Sequence, residues 1–154
     1  MIKEVSEHCG ELSVPRGNQH EFLGMKLHLH NGRVKLSMKN QIEEASQWYD
    51  GSSRAKPMTP AYKHLFKTNE DTESLSSEEA EIFHSVVAKL LYITKRTRPD
   101  IEPTVAFLYK RVTCPNKDVW KRQRRLINYL DHTIVEKRTT VLCTIIPHVT
   151  RGAR

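Results

Sequence analysis

From Leu23 to Leu29 the apolar residues Leu23, Met25, Leu27 and Leu29 alternate with Gly24, Lys26 and His28, the period of a half-buried strand. Asn31-Gly32 follows, the pair that favours a two-residue hairpin turn, and beyond it Val34, Leu36 and Met38 alternate with Arg33, Lys35 and Ser37. Such a turn sets Leu29 against Val34, Leu27 against Leu36 and Met25 against Met38, so both strands turn their apolar side chains to one face. The period then lengthens. Ile42, Ala45 and Trp48 or Tyr49 predict a short helix over residues 40–49 that packs back onto the hairpin. Residues 51–75 hold Pro57, Pro60 and a polar run at 68–74 with no sustained period, which reads as an extended connector. Upstream, Ile2, Val5 and Cys9 allow a short helix or an irregular lead-in over residues 1–11.

Three helices are predicted next. Ser76-Ser77-Glu78-Glu79 is a Ser-x-x-Glu capping box, in which hydroxyl and carboxylate each satisfy a backbone N–H that the helix start leaves unpaired. Phe83, Val86, Val87, Leu90, Leu91 and Thr94 recur at three- and four-residue steps and give that helix one apolar face to about Lys95. Arg98-Pro99 breaks it, because the residue before a proline is pushed out of the helical region. A second helix is expected from an Asp100 N-cap, with Pro103 in its first turn and Val105, Leu108 and Val112 as its buried stripe. Cys114-Pro115-Asn116 ends it and caps a third helix. There Trp120, Ile127 and Leu130 share one side while Lys121, Arg122, Arg124 and Arg125 crowd the others. Residues 140–146 are β-branched and apolar enough for a strand but have no evident partner. The expected fold class is α+β, divided into a hairpin region (1–50), a connector (51–75), a three-helix basic region (76–133) and a divergent tail (134–154).

Charge changes this picture more than composition does. The net +7 is unevenly spread: residues 1–88 carry 10 Lys and Arg against 13 Asp and Glu, whereas residues 89–125 carry 11 against 3. A local excess of this size favours a polyanionic partner, nucleic acid or an anionic membrane face, and is equally compatible with a solvated helical surface. Three cysteines, at 9, 114 and 143, make no short-spaced pair, which suits the reducing cytosol or nucleus. No signal peptide or membrane span is apparent, so an intracellular location is expected.

Candidate chemistry is sparse. His28 and His30, two apart on one strand face, can reach one metal ion with His20 or Cys9, but solvent-side strand residues are the better reading without a Cys-x-x-Cys or His-Glu-x-x-His signature. No base is placed beside Cys114, which reads as structural. The six glycines form no phosphate-binding loop. The acidic pairs Glu43-Glu44, Glu70-Asp71 and Glu78-Glu79 read as solvated faces and caps rather than ligands of a two-metal centre.

A resemblance runs over residues 10–134. Its residues are Arg16-Gly17 to His20, Phe22-Leu23-Gly24-Met25, the Asn31-Gly32 hairpin with Val34-Lys35-Leu36-Ser37, and Lys56-Pro57-Met58-Thr59-Pro60. Further on come Phe83-His84, Ala88-Lys89-Leu90-Leu91-Tyr92, Arg98-Pro99-Asp100-Ile101, Val105-Ala106-Phe107-Leu108, Pro115, Trp120 and Leu126 to Tyr129-Leu130. In order and spacing these resemble the reverse transcriptase of copia-type retrotransposons. The resemblance implies that Phe22, Leu23 and Gly24 sit near a primer terminus, just after the palm's Tyr-x-Asp-Asp motif. It also implies that the helical region is the thumb side, with Lys121, Arg122, Arg124 and Arg125 facing phosphates. The full set of candidate duplex contacts is Lys95, Arg96, Arg98, Lys110, Arg111, Lys117, Lys121, Arg122, Arg124 and Arg125. The expected partner is an RNA–DNA or DNA duplex, held without base readout.

The chain also departs from the family. It contains no Asp-Asp dipeptide. The fingers and most of the palm are expected before Met1, the ribonuclease H domain is expected to be missing, and residues 135–154 leave the family pattern. The complete family enzyme uses two magnesium ions, whose ligands are missing here, so no cofactor and no catalytic residue is expected. Three roles follow as expectations: a non-catalytic remnant that keeps a grip on nucleic acid, a piece of an active polyprotein whose neighbouring sequence supplies the aspartates, or a host protein-interaction module.

Overall fold

A computed structural model describes residues 17–31, 33–49, 56–69 and 71–136, together with the backbone of a two-residue strand at 143–144. The lead-in at 1–11, with Cys9, and Gly32 lie outside the described residues, as do most of the connector's start and most of the tail. The fold is α+β: an N-terminal antiparallel sheet followed by helices.

The sheet has one more hairpin than the alternation predicts. Strand β1 (Gln19–Phe22) pairs with β2 (Met25–His30), and β2 pairs with β3 (Arg33–Ser37). Leu29 opposes Val34 and Leu27 opposes Leu36, as the turn chemistry requires. Leu23 does not continue the strand. Leu23 and Gly24 form the two-residue turn between Phe22 and Met25, with φ of 50° and 73°, the positive pair of a type I′ hairpin. An alternating pattern cannot reveal this, because a leucine at positive φ is disfavoured and leaves no compositional mark. Asn31, with φ of 47°, begins the second turn as expected. The tail's strand has a partner after all: β4 (Cys143–Thr144) pairs antiparallel with β3 at Val34 and Arg33.

Helix α1 (Lys39–Gln47) follows the sheet directly, buries Ile42 and Ala45, and packs on the two long helices of the helical half. Met25, Met38, Ile42, Ala45 and Tyr49 belong to the same buried cluster as the helical stripes, so the hairpin and helical regions share one core. Tyr49 is the buried member of the Trp48/Tyr49 pair; Trp48 is exposed. The Tyr49 ring lies 5.0 Å from that of Trp120, and its hydroxyl donates to Gln123 Oε1. Burial pushes the Tyr49 hydroxyl pKa well above the usual phenol range. Gln123 Nε2 in turn donates to the Phe83 carbonyl at 3.0 Å. One fully buried carboxamide thus ties its own helix to the Phe83 helix and to the residue just beyond α1, and leaves neither of its ends unpaired.

The helical half is α2 (Ser77–Arg96), a 3₁₀ turn (Pro99–Ile101), α3 (Glu102–Tyr109) and α4 (Lys117–Glu136). The capping box at Ser76 is complete: Glu79 N donates to Ser76 Oγ and Ser76 N to Glu79 Oε2, both at 3.2 Å. Phe83, Val86, Val87 and Leu90 are buried as predicted, whereas Leu91 is half-buried and Ile93 takes the core position beside Thr94. Asn116 caps α4, accepting from Val119 N at 3.1 Å. Contacts between α2 and α4 advance in step from Glu79–Lys117 through Phe83–Gln123 to Arg98–Thr133. The two long helices therefore run parallel, with the chain returning between them through α3. Asp100 does not cap the second helix, which has no side-chain cap; its carboxylate is committed to Arg98. Among the described residues, no helix is long and apolar enough to cross a membrane.

Candidate nucleic-acid interface

The ten candidate cations separate into three groups by what surrounds them. Two are structural. Arg98 is 1% exposed. Its Nε and Nη2 each reach an Asp100 carboxylate oxygen at 2.8 Å, Nη2 also donates to Thr133 Oγ1 at 3.0 Å, and the guanidinium lies over the Tyr129 ring. Arg122 is 8% exposed. Its Nε donates to Asp118 Oδ2 at 3.0 Å, Nη1 to the carbonyls of Leu65 and His64, and Nη2 to that of Lys67. These guanidinium groups are turned inward and withdrawn from any phosphate contact. A local cue existed for each: Arg98 has an aspartate two residues on. Arg122 falls on the stripe Val119–Leu126–Leu130 at three- and four-residue steps and follows Asp118 by four.

Two more are exposed or half-exposed but paired. Lys117 Nζ sits 2.7 and 2.8 Å from the Glu79 oxygens, and this hydrogen-bonded pairing, with the Ser76 N–H, holds the Glu79 carboxyl below the usual range. Lys95 pairs with Glu102 across the end of α2.

The remaining six have no carboxylate partner among the described residues. Arg96 is exposed and lies 5.7 Å from the Tyr92 ring centroid. Lys110 and Lys121 are exposed, and Arg124 is half-buried. Arg111 stacks on Phe107 at 4.1 Å and donates to Thr68 Oγ1. Arg125 lies 4.6 Å from the Tyr62 ring centroid and donates to Thr59 Oγ1.

The tip expected near a primer end, Phe22, Leu23 and Gly24, is brought against α2. Phe22 and Leu23 are exposed by 61% and 63%, and Tyr92 Oη donates to the Leu23 carbonyl at 2.9 Å. The same Tyr92 ring carries Arg96, so the tip lies beside a free cation. Glycine suits the φ of 73° at position 24, and a Cβ there would stand 2.4 Å from Gln41 Nε2, the end of a flexible side chain that would have to shift.

Among the described residues, no three His, Cys, Asp or Glu side chains are grouped to hold a metal ion. Residues 56–67, which lie outside the stretch of greatest charge excess, pack over α4 through Arg122 and Arg125. Lys56, Lys63 and Lys67 interleave there with Met58, Tyr62 and Phe66, without one carboxylate. Compared with protein-family models, curated proteins and solved structures, the chain matches none of them.

Proposed function

We propose that the chain is part of a copia-type retrotransposon reverse transcriptase, working inside the cell, that holds a template–primer duplex and does not polymerise by itself. The observation that carries this reading is the placing of the Phe22–Gly24 tip on Tyr92, beside Arg96, where a primer end and a cation would meet. The free cations Lys110, Arg111, Lys121, Arg124 and Arg125 supply sequence-independent attraction to phosphates. Arg98 and Arg122 are left out of the contact set. The lack of an Asp-Asp dipeptide supports the non-catalytic part.

Binding of a labelled DNA or RNA–DNA duplex, followed by fluorescence anisotropy across a salt series, tests the proposal. Log affinity should fall with log salt at about −0.9 per phosphate contact on B-DNA. Lys121→Ala with Arg124→Ala should flatten the slope by up to about two contacts' worth. A slope near zero for the wild-type chain, or one unchanged in that double variant, would sink the duplex-holding role of α4. Template-dependent nucleotide incorporation by the purified chain would overturn its lack of catalysis.

A further inference from the structure

The face built from residues 56–67 and the ends of α3 and α4 carries cations and aromatic rings in alternation. Arg111 stacks on Phe107 at 4.1 Å, Phe66 meets Phe107 edge-on at 6.1 Å, and Arg122 lies between Phe107 and Tyr62 at 5.4 and 5.9 Å. Arg125 closes the row on Tyr62 at 4.6 Å. The buried rungs explain why the segment keeps its place: the Arg122 donors satisfy the carbonyls of Leu65 and Lys67, which an irregular stretch would otherwise leave to solvent, and add to the Lys67 N–H bond on that of His64. They do not explain the outer surface. Phe66 is 76% exposed and Tyr62 46%, on a segment whose charged side chains are all lysines. Arg111 also lines an open recess of about 310 Å³ with Thr68, Thr72, Ser74 and Asn116, whose hydroxyl, amide and guanidinium groups suit an oxyanion.

We propose that this face binds single-stranded nucleic acid, with bases stacking on Tyr62 and Phe66 and phosphates held by Lys63, Lys67 and Arg111. A single strand is the occupant that uses both properties of the surface. Its unpaired bases offer flat π-faces to exposed rings, and its backbone offers charge to cations spaced among them. A duplex hides its base faces and would leave the rings without partners. The face shares Arg111 and Arg125 with the duplex set, but its rings, Tyr62 and Phe66, take no part in that reading, and the proposal does not depend on it.

The test uses the full chain, a fluorescein-labelled oligothymidylate and a DNA duplex of matching length, read by anisotropy. Stacking is worth about 1–3 kcal/mol per base, so Tyr62→Leu with Phe66→Leu should weaken single-strand binding by at least about tenfold and leave duplex binding within about twofold. Lys121→Ala with Arg124→Ala should do the reverse. Circular dichroism checks the fold. Should the double variant fail to fold, Phe66→Ala alone, at the most exposed ring, should still lose about fivefold on the single strand. Undiminished oligothymidylate affinity in a folded variant would overturn the proposal. So would displacement of the bound strand by polyglutamate as effective as by unlabelled oligothymidylate, which would mark a site for acidic polypeptides. Loss of duplex binding with single-strand binding intact would remove the duplex role and leave this one standing.

Discussion

The sheet and the helical half present apolar stripes of similar length but bury them to different depths. On α2, Phe83, Val86, Val87, Leu90 and Ile93 are all at 0 or 1% exposure, enclosed between α3, α4 and α1. On the strands, Met25 and Val34 are buried, Leu27 and Leu36 only half-buried, and Leu29 is open to solvent. The helical stripes join one buried cluster, whereas of the stripe on the strands only Met25 belongs to it, with Leu27 at its edge. A two-residue period says which side chains share a face; how much of that face is covered depends on what packs against it. The sheet is thus an outlying layer, joined to the core through Met25 and to α2 through the bond from Tyr92 to the Leu23 carbonyl.

Matched truncations would break or sharpen this contrast. Phe83→Ala should cost about 3–5 kcal/mol, because a large side chain leaves an enclosed site that cannot collapse. Leu27→Ala should cost only about 1 kcal/mol, since its surroundings are half open. Urea unfolding monitored by circular dichroism measures both, and equal losses would contradict the difference in depth.

The next effect lies at the end of the parallel helices. Arg98→Ala removes a fully buried guanidinium but leaves behind an Asp100 that is one-third exposed, so a loss of about 2–3 kcal/mol is expected, below the 3–5 of a fully enclosed pair. The hydrogen bonds from Arg98, the larger influence, and from Tyr129 hold the Asp100 carboxyl below its usual range. Its folded pKa is the lower one, so its contribution is present above the unfolded value of about 4 and is lost as pH falls through the folded value. Unfolding midpoints measured across that acid window should drop more steeply for the wild type than for Asp100→Asn. Parallel curves would show that the pair adds nothing.

A smaller effect than that of Arg98 returns to the sheet. Gly24→Ala should cost about 1–2 kcal/mol, from positive φ and from displacement of the Gln41 side chain. Because Tyr92 is bonded to the neighbouring carbonyl, the tip should loosen from α2, with faster amide exchange at residues 22–25 while the helical half keeps its protection.

What was legible in the sequence was whatever local chemistry decides. The Ser76 box, the Asn116 cap, the break at Arg98-Pro99 and the Leu27–Leu36 register each depend on residues within a few positions, and each stands where the pattern puts it. The turn at Leu23 and the single core were not legible. The first needs a leucine in a backbone conformation that leucine does not advertise, and the second needs α1 to meet Gln123, 74 residues beyond Tyr49. At the candidate interface, charge counting treated every arginine as surface. Geometry divides them, because the planar fork of arginine can be satisfied inside a protein by a carboxylate and carbonyls, as at Arg98 and Arg122, where a lysine ammonium would not match.

The parallel course of α2 and α4 brings two helix starts together. The backbone just before each is joined: Ser74 bridges to Asn116, and Lys117 N donates to the Glu73 carbonyl at 2.9 Å. Each start carries about half a positive charge from its aligned peptide dipoles, and side by side the two repel. Glu78, Glu79 and Asp118 set carboxylates in the two first turns, and Glu79 crosses from one start to the other by its bond to Lys117 at the first position of α4. A residue that reads locally as half of a capping box is therefore also the clamp that holds the starts of two parallel helices together.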